Sequence, residues 1–260
     1  MDHFWGPACS GTNLVRSDAM QWKIGCSGYR YPDWKGIFYP EDTARRRWFE
    51  YYSGHFNTVE LNGTYYKFPR LSTFRRWNER SPNGFSFTVK APHDVAHVKK
   101  LADAQRMLTE FYNMAREGLG AKLGCILFQF SGTFEYTPDR LKRLIEMLDN
   151  SVPNVVEFRH RSWWNADVYS RLSMANITYC GMSHPALPDN VVRTTDTVYY
   201  RLQGVPHLYN SVYEIPKLEQ IVQEILNQGG REAFIYFNNT ADAHAVFNAK
   251  QLQGICELVH

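Results

Sequence analysis

The chain has 260 residues, a formal net charge of +3 and 44% hydrophobic residues. This length suits one domain with a substantial core, because single barrel domains commonly reach about 250 residues. The charge is too mild to indicate a nucleic-acid partner by itself, and the composition is that of a globular protein. No apolar stretch approaches the roughly 18 residues that a membrane span needs. We therefore expect one folded domain without a membrane segment.

The five cysteines form no CxxC pair and are odd in number. They indicate reduced, mostly buried thiols in a cytoplasmic protein and not a disulfide framework. The first twenty residues lack the apolar segment of a secretory signal peptide. Met20 directly precedes the string Gln21–Gly28, which contains the first strand-like run, so we expect residues 1–19 to be a disordered leader or a non-native extension. Residues 20–260 then form the folded domain.

Eight short runs of β-branched and aromatic residues alternate with helical patterns along the chain. A strand buried on both faces has this near-continuous apolar character, and its alternation with helices predicts a parallel α/β sheet. In chain order the runs are Lys23–Ser27, Thr58–Asn62, Phe85–Lys90, Gly124–Gln129, Val155–Arg159, Ile177–Gly181, Val198–Arg201 and Phe234–Asn238.

Amphipathic patterns between these runs predict the helices. One helix begins at Thr137-Pro138, a second covers about 103–117, and a third ends at Gly229-Gly230. Shorter helices are predicted at 43–54, 72–80, 165–175 and 242–257. Eight strands with their helices predict a single-domain (β/α)₈ barrel of the TIM type. An open, doubly wound sheet is the alternative, but no GxGxxG sequence follows the first run.

All but one of the eight runs end in a polar or charged side chain. In a TIM-type barrel these ends share one face, which is where active sites of this fold lie. The predicted catalytic residues at this face are Glu60, Lys90 and Glu157. The predicted ligand-binding residues, at strand ends or in aromatic loops on the same face, are Tyr29, Asn62, Gln129, Arg159, Trp163, Arg201, Asn238 and Asn239.

Two carboxylates and three cations at this face predict a pocket for a small phosphate- or carboxylate-bearing ligand, which includes sugar-like molecules. Arginine binds such groups through two parallel hydrogen bonds. Internal pairing of carboxylates with cations is the structural alternative, and both can hold together. The hypothesis we favour is acid–base catalysis by Glu60 on a substrate anchored by Arg159 and Arg201.

Other chemistries at this face are weaker hypotheses. Lys90 is a candidate for a Schiff base, although a lysine that extends to the rim for solvation is the more common case. His97, in the loop after the third run, is a further candidate to orient a substrate or carry a proton. Glycoside hydrolysis is disfavoured because Gln129 and Arg201 occupy the usual carboxylate positions. Metal ligands are too few for a dedicated site, and no cofactor is predicted.

Seven sequence strings form a recognisable set. They are Gly25–Tyr29, Trp34–Pro40, Val59–Tyr66, Phe85–Lys90, Glu157–Arg159 with Ser162-Trp163, Tyr200-Arg201 and Tyr236–Asn239. Together they resemble the YecE-like family, also called domain of unknown function 72. The resemblance covers residues 22–255 and implies a TIM-type barrel with a polar groove at the carboxyl ends of its strands, without implying an activity. Two positions depart from the family pattern, at Ala96-His97 and Gln203-Gly204.

Two functions from other classes stay open. Binding or processing of nucleic acid is one of them, because aromatic side chains stack on bases and cations contact phosphates. The chain has aromatic loops, a basic triplet at Arg45–Arg47 and a basic pair at Lys99-Lys100. A non-catalytic scaffold is the third hypothesis. The uncharacterised enzyme with an anion-binding pocket uses the most residues, and we expect Glu60, Lys90, Glu157, Arg159 and Arg201 to converge.

Overall fold

A computed structural model describes residues 19–93 and 101–259, without the side chains of residues 101–104. The prediction for residues 1–19 therefore falls almost wholly outside the described residues, and so does His97. Within the described part, eight parallel strands form a single sheet. The strands are β1 (Gln21–Cys26), β2 (Thr58–Leu61), β3 (Ser86–Lys90), β4 (Leu123–Phe130), β5 (Asn154–Phe158), β6 (Thr178–Ser183), β7 (Thr197–Leu202) and β8 (Glu232–Phe237).

The sheet runs from β2 through β3 to β8 in sequence order and ends at β1, which pairs with β8. It curves into a nearly closed barrel in which every neighbouring pair in that order is parallel. Each of the eight predicted runs overlaps one strand. The predicted (β/α)₈ barrel is therefore confirmed.

Side chains join β1 to β2 where the backbone ladder is missing. Asn57 accepts from Ile24 N at 3.1 Å and donates to Trp22 O at 2.9 Å. The Tyr52 hydroxyl accepts from Cys26 N at 2.7 Å and donates to the Thr58 carbonyl at 3.0 Å. These bonds satisfy the backbone groups that an open edge would leave unpaired.

Helices cover the outside of the barrel, and most lie where the sequence predicts them. The prediction for 43–54 holds in part, because residues Arg45–Arg47 form a 3₁₀ turn before the helix. The short helix Gly63–Tyr66 was not predicted from the sequence. No helix of the described part is long and apolar enough to cross a bilayer. The helices are α1 (Trp48–Ser53), α2 (Gly63–Tyr66), α3 (Leu71–Arg80), α4 (Leu101–Leu119), α5 (Pro138–Met147), α6 (Ala166–Met174), α7 (Ile215–Gln228) and α8 (His244–Leu258).

Hydroxyl groups fill part of the barrel interior below the carboxyl ends of the strands. The buried Tyr236 hydroxyl lies 2.6 Å from Thr58 Oγ1 and 2.9 Å from Thr88 Oγ1. The Tyr199 ring packs beside Tyr236, with ring centroids 5.3 Å apart. Because buried polar groups need partners, these hydrogen bonds and ring contacts fix the positions of the two tyrosine side chains. It forms the floor on which the charged residues lie.

Candidate functional site

Arg201 of β7 lies at the centre of the charged residues and joins two carboxylates. Its Nη1 donates to Glu157 Oε2 at 2.5 Å, and its Nη2 donates to Glu60 Oε1 at 2.6 Å. All three side chains are essentially inaccessible to solvent. A buried pair of this kind is strongly destabilised when one partner is lost, because the other charge is then left uncompensated. Arg201 thus joins β7 to β2 and β5 across the barrel.

The Glu60 carboxylate accepts hydrogen bonds from three side chains. Ser27 Oγ donates to Oε1 at 2.8 Å, and the Tyr199 hydroxyl donates to Oε2 at 2.6 Å. Arg201 supplies the third. Because Glu60 is fully buried and its oxygens are engaged by protein donors, a substrate proton has no direct path to it.

Glu157 of β5 is bound by two guanidinium groups. Besides Arg201, Arg159 on the same strand end donates through Nε to Glu157 Oε1. Burial alone would raise the pKa of Glu157. The charges of Arg159, Arg201 and Lys90 outweigh burial and lower this pKa to about 2. Glu157 is therefore ionised at neutral pH.

Gln203 connects the two arginines to β8. One end of its side-chain amide lies 3.1 Å from Arg159 Nη2 and 3.0 Å from Arg201 Nη1, and the other lies 2.7 Å from Asn238 Nδ2. Because guanidinium groups only donate hydrogen bonds, the amide oxygen of Gln203 faces the arginines, and its amide nitrogen donates towards the side-chain amide of Asn238. Asn238 therefore reaches the charged cluster through Gln203.

Lys90 differs from the two arginines in its partners. Its Nζ donates to Gln129 Oε1 at 2.9 Å and lies 4.1 Å from the centroid of the Tyr65 ring. No carboxylate of residues 19–93 or 105–259 lies within ion-pair distance of Lys90. Only 7% of Lys90 is exposed, so an ammonium at this position is poorly solvated and only partly compensated.

The pKa of Lys90 reflects this environment. Burial and the nearby charge of Arg201 lower it from 10.5 to about 8, against the opposing effects of Glu157 and Glu60, while Arg159 lowers it further. Lys90 can therefore give up its proton within a range close to neutral pH, whereas an ordinary lysine does so near pH 10.4.

His184 follows β6 and lies close enough to the cluster to be influenced by its charges. Partial burial lowers its pKa, with Arg159 acting in the same direction and Glu157 against it. Its Nδ1 accepts from Ala186 N at 3.0 Å, so the neutral ring has its proton on Nε2. His184 is thus a neutral imidazole at pH 7 with a donor at Nε2.

Known proteins are similar to this chain in sequence and in architecture. A family model described as "Protein of unknown function DUF72" matches residues 23–259. The chain belongs to the DUF72 family. UPF0759 protein YunF of Bacillus subtilis is 24% identical over 90% of this chain and 94% of its own length. UPF0759 protein YecE of Escherichia coli is 32% identical over 143 residues, which are 53% of this chain and 48% of that protein.

Solved structures of DUF72 proteins have the same fold. A DUF72 family protein from Thermotoga maritima superposes with a TM-score of 0.81 at 28% identity, covering 91% of this chain and 99% of that one. A second, from Enterococcus faecalis, has a TM-score of 0.77 at 18% identity over 92% of this chain and 97% of that chain. The family resemblance inferred from the sequence strings is therefore confirmed.

Two predicted ligand-binding residues of this DUF72 chain line a cavity whose lining includes no side chain of the charged cluster. Tyr29 and Asn62 line a cavity of about 270 Å³ between the loops that follow β1 and β2. The Tyr29 hydroxyl accepts from Trp77 Nε1 at 3.1 Å, and its ring packs on Phe49. Asn62 Oδ1 is buried and has no hydrogen-bond partner among the described residues. The structure therefore does not bring Tyr29 and Asn62 into contact with the charged cluster.

Two further predicted residues are engaged in packing. Trp163 is fully buried, lies 3.9 Å from the Phe158 ring in a parallel stack and donates to Phe134 O at 2.6 Å. Asn239 donates to Ser211 O at 2.8 Å and Asn248 Oδ1 at 3.0 Å. Both side chains support loops around the barrel mouth, and neither is brought into the charged cluster.

Several members of the cluster were not predicted from the sequence. Tyr199 and Gln203 lie two positions before and after Arg201, and a spacing of two places side chains on the same face of a strand. Ser27 and His184 directly follow strands and Tyr65 lies in the four-residue helix α2, where the sequence pattern does not define the direction of a side chain. Within the described residues no group of three His, Cys, Asp or Glu side chains is arranged to hold a metal ion.

Proposed function

We propose that this protein is an enzyme that binds a small phosphate- or carboxylate-bearing molecule at the barrel mouth and transfers protons through Lys90. The observation that carries the proposal is the partner set of Lys90, which consists of an amide oxygen and an aromatic ring in the described structure. A bound anion would supply the charge that this buried ammonium lacks.

The charge balance of the cluster supports an anionic ligand. Arg201 and Arg159 together compensate the carboxylates of Glu60 and Glu157. Protonated Lys90 then adds one positive charge that no described carboxylate neutralises within ion-pair distance. In a poorly solvated site this excess favours either loss of the proton or binding of an anion.

Arg159 supports the same ligand class because its donors are only partly used. Of the five N–H groups of a guanidinium, Nε is bound to Glu157 and one Nη2 hydrogen to Gln203. Three are without a partner among the described residues, and 14% of the side chain is exposed. Arg159 can therefore present the paired donors that phosphate and carboxylate groups accept.

The roles of the predicted catalytic residues follow from their partners. Lys90, with a pKa of about 8, is mostly protonated at neutral pH and suited to donate a proton to a substrate. Glu60 is enclosed by Ser27, Tyr199 and Arg201, so we assign it to holding Arg201 and not to the proton transfer first expected of it. Glu157 orients Arg159.

Calorimetric titration with inorganic phosphate tests the proposal. We expect binding to the wild type, weakened about 10-fold or more in Lys90→Met and in Arg159→Met, because a charge-assisted hydrogen bond contributes about 1.5–3 kcal/mol. Lys142→Met is the matched control, since Lys142 is exposed and pairs with Glu146 on the helix surface. Equal phosphate affinity in all four proteins, or no binding, would contradict the proposal.

Two further experiments test the nucleic-acid hypothesis and the scaffold hypothesis. A single-stranded oligonucleotide at low salt is the probe for nucleic-acid binding, because phosphate contacts make such affinity steeply dependent on salt. Oligonucleotide binding without phosphate binding would favour a nucleic-acid protein. Absence of both, together with unchanged cellular phenotypes for Lys90→Met, would favour a scaffold.

A further inference from the structure

We infer that the ligand is a carbonyl compound and that the Lys90 amine forms an imine with it while Arg159 holds its phosphate or carboxylate group. This inference rests on the proposed anion site and adds the substrate class: phosphorylated aldehydes and ketones, or 2-oxo acids. It assigns Lys90 a covalent role besides proton transfer.

The geometry around Lys90 suits a nucleophilic amine. Its Nζ is held at the end of β3 between the amide oxygen of Gln129, at 2.9 Å, and the face of the Tyr65 ring, whose centroid is 4.1 Å away. Neither partner is a carboxylate, so each favours the ammonium form less than an ion pair would. A carboxylate partner would oppose deprotonation, as an opposite charge favours the charged form.

Charged groups from several elements face Lys90. Arg201 on β7 and Arg159 after β5 oppose its charge, while Glu157 on β5 and Glu60 on β2 favour it. The two carboxylates are each bound directly to a guanidinium group, which reduces their effect. With a pKa of about 8, about a tenth of Lys90 is neutral at pH 7, on the order of a hundredfold more than for an ordinary lysine.

The reaction balances without an external oxidant or reductant. The neutral amine of Lys90 attacks the carbonyl carbon, a C–N bond forms, and one amine proton moves to the oxygen to give a carbinolamine. The C–O bond then breaks, and the hydroxyl group leaves with the second amine proton as water. An imine between Lys90 and the substrate carbon results, as in other enzymes that use lysine as a nucleophile.

Neighbouring groups suit both ends of such a substrate. Arg159 has three N–H donors without a described partner, enough to hold a phosphate or carboxylate bidentately. His184 is neutral, has its proton on Nε2 and lies close enough to Arg159 to be influenced by its charge. It can therefore donate a hydrogen bond near the anion-binding end of the cluster. The anion anchor and the amine belong to one charged cluster, as a short bifunctional substrate requires.

Trapping with borohydride tests the inference, with two probes that differ in their anion. Pyridoxal 5′-phosphate carries an aldehyde and a phosphate, and glyoxylate carries an aldehyde and a carboxylate. Each is incubated with the full chain at pH 7, reduced with sodium borohydride and mapped by peptide mass spectrometry. We expect adduct on Lys90 at least 10-fold faster than on exposed lysines, with inorganic phosphate slowing it.

Two variants provide the controls. Lys90→Met should lose the fast adduct, and Lys142→Met should keep it. A preference for one probe over the other identifies the anion that Arg159 accepts. The labelling rate at Lys90 should level off above about pH 8, whereas that of exposed lysines should rise to about pH 10.

The imine and the anion site can fail separately. If phosphate binds as proposed but adduct spreads evenly over exposed lysines in the wild type and in Lys90→Met, the imine inference is overturned and the anion site stands. If phosphate does not bind and Lys90 is not labelled, both are overturned.

Discussion

Replacement of Arg201 by methionine should destabilise the protein more than any surface change of similar size. The variant keeps an unbranched apolar side chain but removes the only described cation bound to Glu60, while Glu157 keeps Arg159. Removal of one partner from a buried ion pair costs about 3–5 kcal/mol. We therefore expect Arg201→Met to lose at least about 3 kcal/mol of unfolding free energy, measured by urea denaturation with tryptophan fluorescence.

Two comparisons make this prediction specific. Arg171 pairs with Asp167 at 3.9 Å on the surface of α6, so Arg171→Met should cost less than about 1 kcal/mol. The double variant Glu60→Gln/Arg201→Met should regain part of the stability, because it removes the carboxylate left without a cation. The reasoning is refuted if Arg201→Met and Arg171→Met lose equal stability, or if the double variant is no more stable than Arg201→Met.

Three further predictions follow from the partners of single residues. The pKa of Lys90 is lowered to about 8 in the folded state, so between pH 8 and 10.5 the unfolded chain binds more protons at this residue than the folded chain does. The contribution of Lys90 to the free energy of unfolding therefore rises with pH. Urea denaturation of the wild type and of Lys90→Met should show a difference between them that grows by about 2–3 kcal/mol from pH 7 to pH 10. Glu157 has a pKa of about 2 when folded, so its contribution is present above pH 4.5 and lost as the pH falls towards 2; acid unfolding of Glu157→Gln should lack that component. Asn239→Ala should lower stability by about 1–3 kcal/mol, since the Ser211 carbonyl loses its donor and Asn248 Oδ1 keeps the Tyr213 amide but loses the Asn239 donor, with phosphate affinity unchanged in calorimetry.

The fold could be predicted from the sequence because strands and helices have different apolar patterns along the chain. Strands buried on both faces have near-continuous apolar runs, and each predicted run overlaps one observed strand. The boundaries were less exact, because hydrogen bonding sets them. β6 continues to Ser183, and the helix predicted from residue 43 begins at Trp48 after a 3₁₀ turn.

The composition of the charged cluster could also be predicted, because parallel strands bring their ends to one face. Glu60, Lys90, Glu157, Arg159 and Arg201 converge as expected. Their pairing could not be predicted, since it depends on which strands face each other across the barrel and how far each side chain reaches.

The aromatic loops and the second asparagine after β8 show a different limit of the sequence. Trp163 and Asn239 have the residue types of a binding site, yet Trp163 stacks in the core and Asn239 supports a loop. Asn238 and Asn239 were both predicted to bind ligand, but consecutive residues in extended chain point to opposite sides. Asn238 contacts Gln203, whereas Asn239 contacts Ser211 and Asn248. Aromatic residues in loops have no periodic spacing from which the direction of their side chains can be predicted.

The pKa of Lys90 with and without phosphate tests the anion site most directly. Lysine labelled with ¹³C at Cε allows its titration to be followed by NMR, with Lys90→Met assigning the signal. We predict a pKa of about 8 in phosphate-free buffer and a rise of at least about one unit at saturating phosphate, because a nearby anion favours the ammonium form. A pKa that phosphate leaves unchanged would contradict the anion site, and with it the function proposed for this barrel.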